Sequence, residues 1–139
     1  GNVTKRFNAT SFTIAEHGGS CPVWNLHTTF RTPGVIQPQF VELPDGERYF
    51  TLSRTTDRPV YSMDTQERRL AISLGCEIRH AQKLIYTTRT PIPADEDFSK
   101  IGISCHLCSR VNCAQRAHDP LVIELKTDPS RRGETRYES

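Results

Sequence analysis

The spacing of apolar residues changes along the chain, and each change predicts a different element. Val23, Leu26 and Phe30 recur at intervals of three and four residues, which places them on one face of a helix. Ser20 stands where a helix cap is expected, and Pro22 occupies an early helical position. The pattern therefore predicts a helix that ends at a Thr-Pro-Gly turn.

Extended segments are predicted after this helix. Residues 35–43 and 47–54 have the character of strands and flank a Pro-Asp-Gly turn, so the pair predicts a hairpin. A further strand is predicted at residues 68–74. It runs through a Gly-Cys pair into a predicted helix at residues 77–84.

The last third of the chain is dominated by loops. Residues 85–87 are predicted to be extended again, and residues 90–100 form a proline-rich acidic loop. The final apolar run, residues 121–125, is predicted to be a strand. We expect a single domain over residues 1–126 and a disordered tail over residues 127–139, which are polar and poor in aromatic side chains.

The order of these elements defines the expected fold class. The predicted order is helix, hairpin, strand, helix, loop, cysteine-rich turn and strand. This order predicts an α+β fold with a mostly antiparallel sheet flanked by helices. Sensor domains of the PAS or GAF type use this arrangement. Such sheets hold a ligand between one face and a helix or loop that covers it.

Composition narrows the class further. The chain has 139 residues, of which 35% are hydrophobic and 24% charged, as in ordinary globular domains, and no apolar run approaches the roughly 18 residues of a membrane span. It begins with Gly1 and its only methionine is Met63, which is typical of an excised domain. The sequence contains no HExxH, GxSxG or P-loop motif, so we expect that it is not an enzyme and assign no catalytic residue.

Three of the five cysteines lie within nine residues. Cys105 and Cys108 form a C-x2-C turn, and Cys113 follows. A C-x2-C turn brings two thiolates to one soft cation, and the third cysteine can close the same loop over it. We therefore expect a metal or cluster loop. An odd number of cysteines with this spacing also fits a reducing cytoplasm better than a disulfide framework.

The spacing of the cysteines does not by itself identify the fourth ligand of such a site. Cys76 precedes the predicted helix at residues 77–84, whose positive end favours a thiolate. His118 instead completes a local C-x2-C-x4-C-x4-H series close to that of a zinc knuckle, and water is a third choice.

The charged residues allow an alternative function. Net charge is only +2, but there are fourteen arginines and four lysines, and arginine is suited to bidentate contacts with phosphate. A zinc-knuckle module that binds nucleic acid would use Arg110, Arg116, Arg131 and Arg132 on phosphates.

Four motifs carry a resemblance to a known family. In chain order they are CPVWNLHTTFRTPG, LPDGERYFTLSRT, AISLGCEIRHAQKLIY and GISCHLCSRVNCAQRAHDPL. Over roughly residues 6–122 the chain resembles the C-terminal effector domain of short-chain fatty acyl transcriptional regulators. The resemblance implies a bacterial transcription factor, with an amino-terminal helix-turn-helix domain and a middle domain similar to ImmA/IrrE peptidases, both outside this chain.

The resemblance also implies cofactors and partners. It implies that the effector is an acyl-coenzyme A such as propionyl-CoA, that the full-length protein is a homodimer controlling propionate and fatty acid metabolism, and that the cysteines hold an iron-sulfur cluster (4Fe-4S) or zinc. The family pattern has cysteines at the positions of all five cysteines here, including Cys21, and requires no histidine at His118. It therefore favours Cys76, Cys105, Cys108 and Cys113 as the ligands. Ala114 departs from the pattern, where proline is common.

An acyl-CoA site needs arginines for its phosphates, an aromatic platform for adenine and an apolar slot for the acyl group. The side chains around the predicted helices and hairpin can supply these groups. The expected ligand-binding residues are Trp24, Phe30, Arg31, Arg54, Arg79, His80 and Tyr86.

Overall fold

A computed structural model describes residues 3–15, 19–58, 63–64 and 68–125. Its strands are β1 (Gln37–Glu42), β2 (Arg48–Arg58), β3 (Arg68–Glu77) and β4 (Ser99–Lys100), and its helices are α1 (Ile78–Ala81), α2 (Tyr86–Arg89) and two 3-10 helices at Thr28–Arg31 and Asp95–Asp97. The predicted α+β class is confirmed, while the likeness to PAS or GAF domains stays a prediction. The predicted tail at residues 127–139 lies outside the described residues.

The strands form one sheet in the order β3-β2-β1-β4. Strands β2 and β3 are antiparallel, with a register that runs from Tyr49 opposite Glu77 to Arg58 opposite Arg68. Strands β1 and β2 form the predicted hairpin, closed by the Leu43 N–H, which donates to the Glu47 carbonyl at 2.9 Å. Gly46 in this turn has a φ of 87°, which glycine adopts without the steric cost that a Cβ brings.

The described residues belong to two compact units, each assembled from separate stretches of chain. The first draws on Gly1–Trp24, Glu42–Glu47 and Ser99–Ser139, and the second on Asn25–Val41 and Arg48–Phe98. The cysteine loop lies in the first unit, and most of the sheet lies in the second.

An aromatic cluster forms the core of the second unit. The ring centroids of Phe40 and Phe50 are 4.8 Å apart, and those of Phe40 and Phe98 are 5.9 Å apart. Ala81 of α1 completes the buried set, and the Arg48 guanidinium lies over the Phe98 ring at 4.5 Å. This packing holds α1 against one face of the sheet.

The opposite face of β2 is buried but polar. The Ser53 and Ser73 hydroxyl groups are 3.0 Å apart, and the Thr51 hydroxyl donates to the Gln39 carbonyl at 3.3 Å. The Thr55 hydroxyl accepts the backbone N–H of Gly34 at 3.0 Å. These partners remove most of the cost of burying hydroxyl groups.

The predicted helix around Val23, Leu26 and Phe30 is wrong in extent, because only Thr28–Arg31 is helical and as a 3-10 turn. Tertiary hydrogen bonds account for the difference. The backbone N–H of Asn25 donates to the Gln39 side chain at 2.8 Å, and its side-chain amide donates to the Gln37 carbonyl at 3.0 Å.

Three other predicted elements also differ. Strand β3 extends through Glu77, because its last residues pair with β2, so the helix predicted at residues 77–84 shrinks to α1. The segment predicted to be extended from residue 85 instead enters α2. Residues 121–125 contain bends rather than a strand, and the Leu121 N–H donates to the His106 carbonyl at 2.8 Å.

Among the helices in the described part of the chain, none has the length and apolar character that a membrane span requires.

Replacing Phe50 with alanine should destabilise the protein strongly, because Phe50 is 1% exposed and belongs to the aromatic cluster. We expect the free energy of unfolding to fall by about 3–5 kcal/mol, measured by urea denaturation. The control is Ile85→Ala. Because Ile85 is 77% exposed, this replacement should change the free energy of unfolding by less than about 0.5 kcal/mol. Equal losses in the two variants would contradict the assignment of Phe50 to the core.

Candidate functional site

The cysteine loop is built from tight turns. The N–H of Cys108 donates to the carbonyl of Cys105 at 3.5 Å, and the N–H of Leu107 donates to the carbonyl of Ser104 at 3.3 Å. A third turn joins the N–H of Arg116 to the carbonyl of Cys113 at 3.2 Å. These turns keep the three cysteines predicted as ligands within one compact loop.

A buried guanidinium closes this loop. Arg116 is only 4% exposed, and it donates to the carbonyls of Cys105 at 3.1 Å and Cys108 at 3.5 Å. It also donates to the carbonyl of Arg110. One side chain therefore satisfies three carbonyls that the irregular loop leaves without strand or helix partners.

Four cysteines line one small cavity in the first unit. Its volume is about 10 Å³, the size of a single water-sized sphere. Three of the four are the predicted ligands of the loop. The fourth is Cys21, which is more than eighty residues away in the sequence. The full lining is Cys21, Pro22, Lys100, Gly102, Ser104, Cys105, Cys108, Arg110, Cys113 and Arg116.

The Cys21 thiol is electrostatically coupled to the loop. Burial raises the pKa of Cys21, and negative charge on Cys105 and Cys108 raises it further, while hydrogen bonds from the Gly102 and Val23 backbone lower it. Thiols held together in this way do not ionise together unless a cation balances their charge.

Gly102 is required where the chain passes the cysteines. A Cβ at this position would lie 2.8 Å from the Cys108 Sγ and 2.9 Å from the Cys108 Cβ. Both distances are shorter than van der Waals contact, so any other residue would push the thiol away. The glycine is explained by this close approach and not by an unusual φ.

The donor set fits a thiophilic metal in kind. Four thiols line one cavity, which is the donor set of structural zinc sites and of thiolate-held clusters. Within residues 3–15, 19–58, 63–64 and 68–125, however, no three His, Cys, Asp or Glu side chains are already arranged to hold a metal ion. Binding would therefore require the thiols to turn toward a common point.

Cys76, predicted as the fourth ligand, lies in the second unit. It stands opposite Phe50 in the β2–β3 register and packs against the aromatic cluster. Burial raises the pKa of the Cys76 thiol, and the neighbouring Glu77 carboxylate raises it further. The expected helix end does not begin at Cys76, because β3 continues to Glu77 and α1 has only four residues. The assignment of Cys76 as a ligand stays a prediction.

His118, the other residue weighed as fourth ligand, stacks on the His106 ring, with centroids 4.8 Å apart, and is exposed. It is absent from the cavity lining.

Arg110 donates to the Glu42 carbonyl at 2.9 Å and to the Ile101 carbonyl at 3.3 Å. The guanidinium groups of Arg110 and of the buried Arg116 are thus both hydrogen-bonded to backbone carbonyls of the first unit.

Two of the four arginines of the zinc-knuckle alternative are therefore engaged by backbone carbonyls. The other two, Arg131 and Arg132, lie outside the described residues.

The predicted ligand-binding residues separate into two groups. Phe30, Arg31, Arg54, Arg79, His80 and Tyr86 belong to the second unit, whereas Trp24 belongs to the first. Arg79 forms an ion pair with Glu77, in which Nε and Oε2 are 2.5 Å apart. The guanidinium groups of Arg31 and Arg54 are exposed and make no hydrogen bond or ion pair with another described side chain, and Phe30 is 45% exposed.

Trp24 is a buried residue of the first unit. Its ring packs against Phe12 at 5.7 Å, and its indole N–H has no hydrogen-bond partner among the described residues. It lines a second cavity of about 10 Å³ with Phe12, Ile14 and Ile103.

Comparison with known proteins identifies the family. The family model described as "Short-chain fatty acyl coenzyme A regulator, C-terminal" matches residues 1–137. The chain belongs to this family. The resemblance inferred from the four sequence motifs is therefore confirmed, and the chain corresponds to the C-terminal domain of its regulators.

Curated relatives agree with this assignment. The chain is 45% identical over 138 residues to the propionyl-CoA carboxylase regulator of Cereibacter sphaeroides, covering 99% of this chain and 30% of that protein. It is 38% identical to the HTH-type transcriptional regulator RamB of Mycobacterium tuberculosis, covering 94% of this chain and 28% of RamB. It is 35% identical to the HTH-type transcriptional regulator PrpR of the same organism, covering 100% of this chain and 29% of PrpR.

A solved structure, titled Mycobacterium tuberculosis transcriptional regulator, has a TM-score of 0.85 and 35% identity to this chain, covering 100% of it and 42% of the other. The chain thus spans about a third of the curated relatives it matches. All are named as regulators, so the prediction that this chain is not an enzyme is confirmed.

Replacing Gly102 with alanine should disturb the cysteine cavity. The added methyl group would lie 2.8 Å from the Cys108 Sγ, and relieving that overlap should cost about 1–3 kcal/mol of folding free energy. Chemical denaturation under reducing conditions measures this loss, and labelling by a thiol reagent should become faster at Cys108. The control is Ser109→Ala, an exposed position of the same loop, which should leave both values unchanged.

Proposed function

We propose that this chain is the ligand-sensing domain of a bacterial transcription factor, that it binds a short-chain acyl-CoA such as propionyl-CoA, and that its buried cysteines hold a metal centre. The observation that carries this proposal is the match of nearly the whole chain to a family described by short-chain fatty acyl coenzyme A. The names of the relatives point the same way, since one regulates propionyl-CoA carboxylase and others are HTH-type transcriptional regulators.

The effector is proposed to bind on the second unit. Arg31 and Arg54 supply exposed guanidinium groups that nothing in the described part of the second unit neutralises, and these suit the phosphates of coenzyme A. The Arg54 Nη2 lies close to Gly34, at 4.0 Å from the position that a Cβ would take there, so the guanidinium stands beside the turn that follows the 3-10 helix.

Apolar side chains stand next to these arginines in sequence. Phe30 is partly exposed and can stack on adenine, and Val35 and Ile36 are also exposed just after the 3-10 turn. These side chains offer apolar surface to the acyl group. Tyr86 and His80, exposed on the short helices α2 and α1, are further candidates on the same unit.

The metal centre is proposed to use Cys105, Cys108 and Cys113 with Cys21, since these four thiols line one cavity. Cys76, the fourth ligand favoured by the sequence, remains the alternative. The centre would supply a structural link between the amino-terminal segment and the loop, and as an iron-sulfur cluster it would also supply redox sensitivity. A cavity of about 10 Å³ is closer in size to a single zinc ion, whereas a 4Fe-4S cluster would require the four thiols to move apart.

Regulation is proposed to follow a population shift. Acyl-CoA would bind one conformation of this domain more tightly than another, and the difference would reach a DNA-binding helix-turn-helix domain elsewhere in a homodimeric protein. The free thiols at all five cysteines are compatible with a cytoplasmic location.

Acyl-CoA binding is tested by calorimetry with propionyl-CoA, with coenzyme A for comparison. Replacing Arg31 or Arg54 with alanine should weaken binding about tenfold or more, because each removes a charged contact with phosphate. The matched control is Arg89→Ala, an exposed arginine of the same unit on α2, which should leave the affinity unchanged. Absence of binding at millimolar propionyl-CoA would refute the effector assignment.

The metal ligands are tested by metal analysis of protein purified without oxygen. Cys21→Ser should lose the bound metal, while Cys76→Ser should retain it, because only Cys21 shares the cavity of the loop. Absorbance near 400 nm with stoichiometric iron and sulfide identifies a cluster, and colourless protein with zinc identifies a single ion. Loss of metal from Cys76→Ser with retention in Cys21→Ser would reverse the assignment.

A further inference from the structure

Strand β3 exposes an apolar edge. It is the terminal strand of the sheet order and has ten residues, and Leu74 and Ile72 on one of its faces are 70% and 51% exposed. Edge strands normally carry a lysine, a proline or a bulge that blocks pairing with another chain. From Leu70 to Gly75 this strand has none of these. Among the described residues β2 is the strand that pairs with β3, so the outer edge of β3 is available to a further strand.

We infer that β3 pairs with β3 of a second copy of this chain, antiparallel about a two-fold axis at Ser73. A strand paired with its own copy is the simplest closed assembly, since each side presents the same surface to the other. It completes the main-chain hydrogen bonds of both edges and buries the apolar side chains that each copy exposes.

The register follows from the requirement that opposite residues share a face of the sheet. With the axis at Ser73, Ile72 lies opposite Leu74 of the other copy, and Arg69 lies opposite Glu77. With the axis one residue earlier, at Ile72, Arg69 would lie opposite Gly75 and would lose its acidic partner. Charge complementarity therefore selects the axis at Ser73.

The charged ends of β3 are already arranged for this pairing. Within one copy, Arg69 forms an ion pair with Asp57, in which Nε and Oδ1 are 2.7 Å apart. Glu77 forms an ion pair with Arg79, in which Oε2 and Nε are 2.5 Å apart. Placing Arg69 beside the Glu77 of the other copy joins the two pairs into one network of alternating charge. Such networks fix the register of an interface more than they add affinity.

This inference rests on the homodimer proposed above and names its interface, but it does not rest on acyl-CoA binding. Ile72 lies directly opposite Arg54 in the β2–β3 register, so the interface borders the proposed effector site. Calorimetry with propionyl-CoA on the same samples therefore distinguishes a failure of the dimer from a failure of the proposed effector site.

The first test measures oligomeric state by sedimentation equilibrium. The protein should dimerise, and Leu74→Lys should weaken the dimer at least about tenfold, because it buries a charge against the apolar pair. Ile85→Lys is the matched control, since Ile85 is equally exposed on the same unit but lies outside β3, and it should leave the dissociation constant unchanged. A monomeric wild-type protein, or equal weakening in both variants, overturns the inference.

The second test addresses the register and does not depend on the stability of any single variant. Arg69→Glu alone places two acidic residues opposite each other, and Glu77→Arg alone places two basic residues opposite each other, so each variant should be monomeric. An equimolar mixture restores both opposite-charge contacts and should form a heterodimer. A mixture that stays monomeric while the wild-type protein dimerises overturns the axis at Ser73.

Discussion

The loop that carries three of the cysteines has almost no regular structure of its own, so its shape depends on the buried guanidinium of Arg116. That side chain collects the carbonyls of Cys105, Cys108 and Arg110. Without it, three carbonyls would lose their donor in a part of the protein that water reaches poorly, at a cost of about 1–3 kcal/mol each. The same residue also places a positive charge in the wall of the cysteine cavity, which is favourable for thiolates and any anionic centre they form.

Strand β2 imposes a comparable constraint on the second unit, since its two faces differ in chemistry. Phe50 belongs to an aromatic cluster that needs no hydrogen bonds, whereas Ser53 and Thr55 are buried only because neighbouring groups satisfy them. Arg54 shares a face with Phe50 but lies beyond the aromatic cluster, so its side chain is exposed between the buried Ser53 and Thr55. Strand β2 holds this exposed guanidinium on a rigid element, which the proposed contact with phosphate would require.

Sequence reasoning succeeded where the signal was local. The hairpin of β1 and β2 follows from a Pro-Asp-Gly turn between two extended segments. The metal or cluster loop expected from the cysteine spacing stays a prediction. Sequence reasoning failed for the helices, because the backbone N–H of Asn25 and the paired end of β3 found partners in distant strands. No local pattern distinguishes the buried Arg116 from a surface arginine, and none relates Cys21 to the loop.

The separation between Cys21 and the loop defines what a metal could contribute there. Closing a loop of roughly eighty residues restricts the unfolded chain, and the loss of entropy grows only slowly with length, by about 0.6 kcal/mol for each doubling. The gain therefore lies less in the exact span than in holding the amino-terminal segment against the cysteine loop. Three of these four thiols are buried and Cys113 is half-buried, whereas the arginines suited to coenzyme A lie on the other unit. A metal and an effector would therefore have different roles. The metal would set the stability of the first unit, whereas the effector would act on exposed side chains of the second.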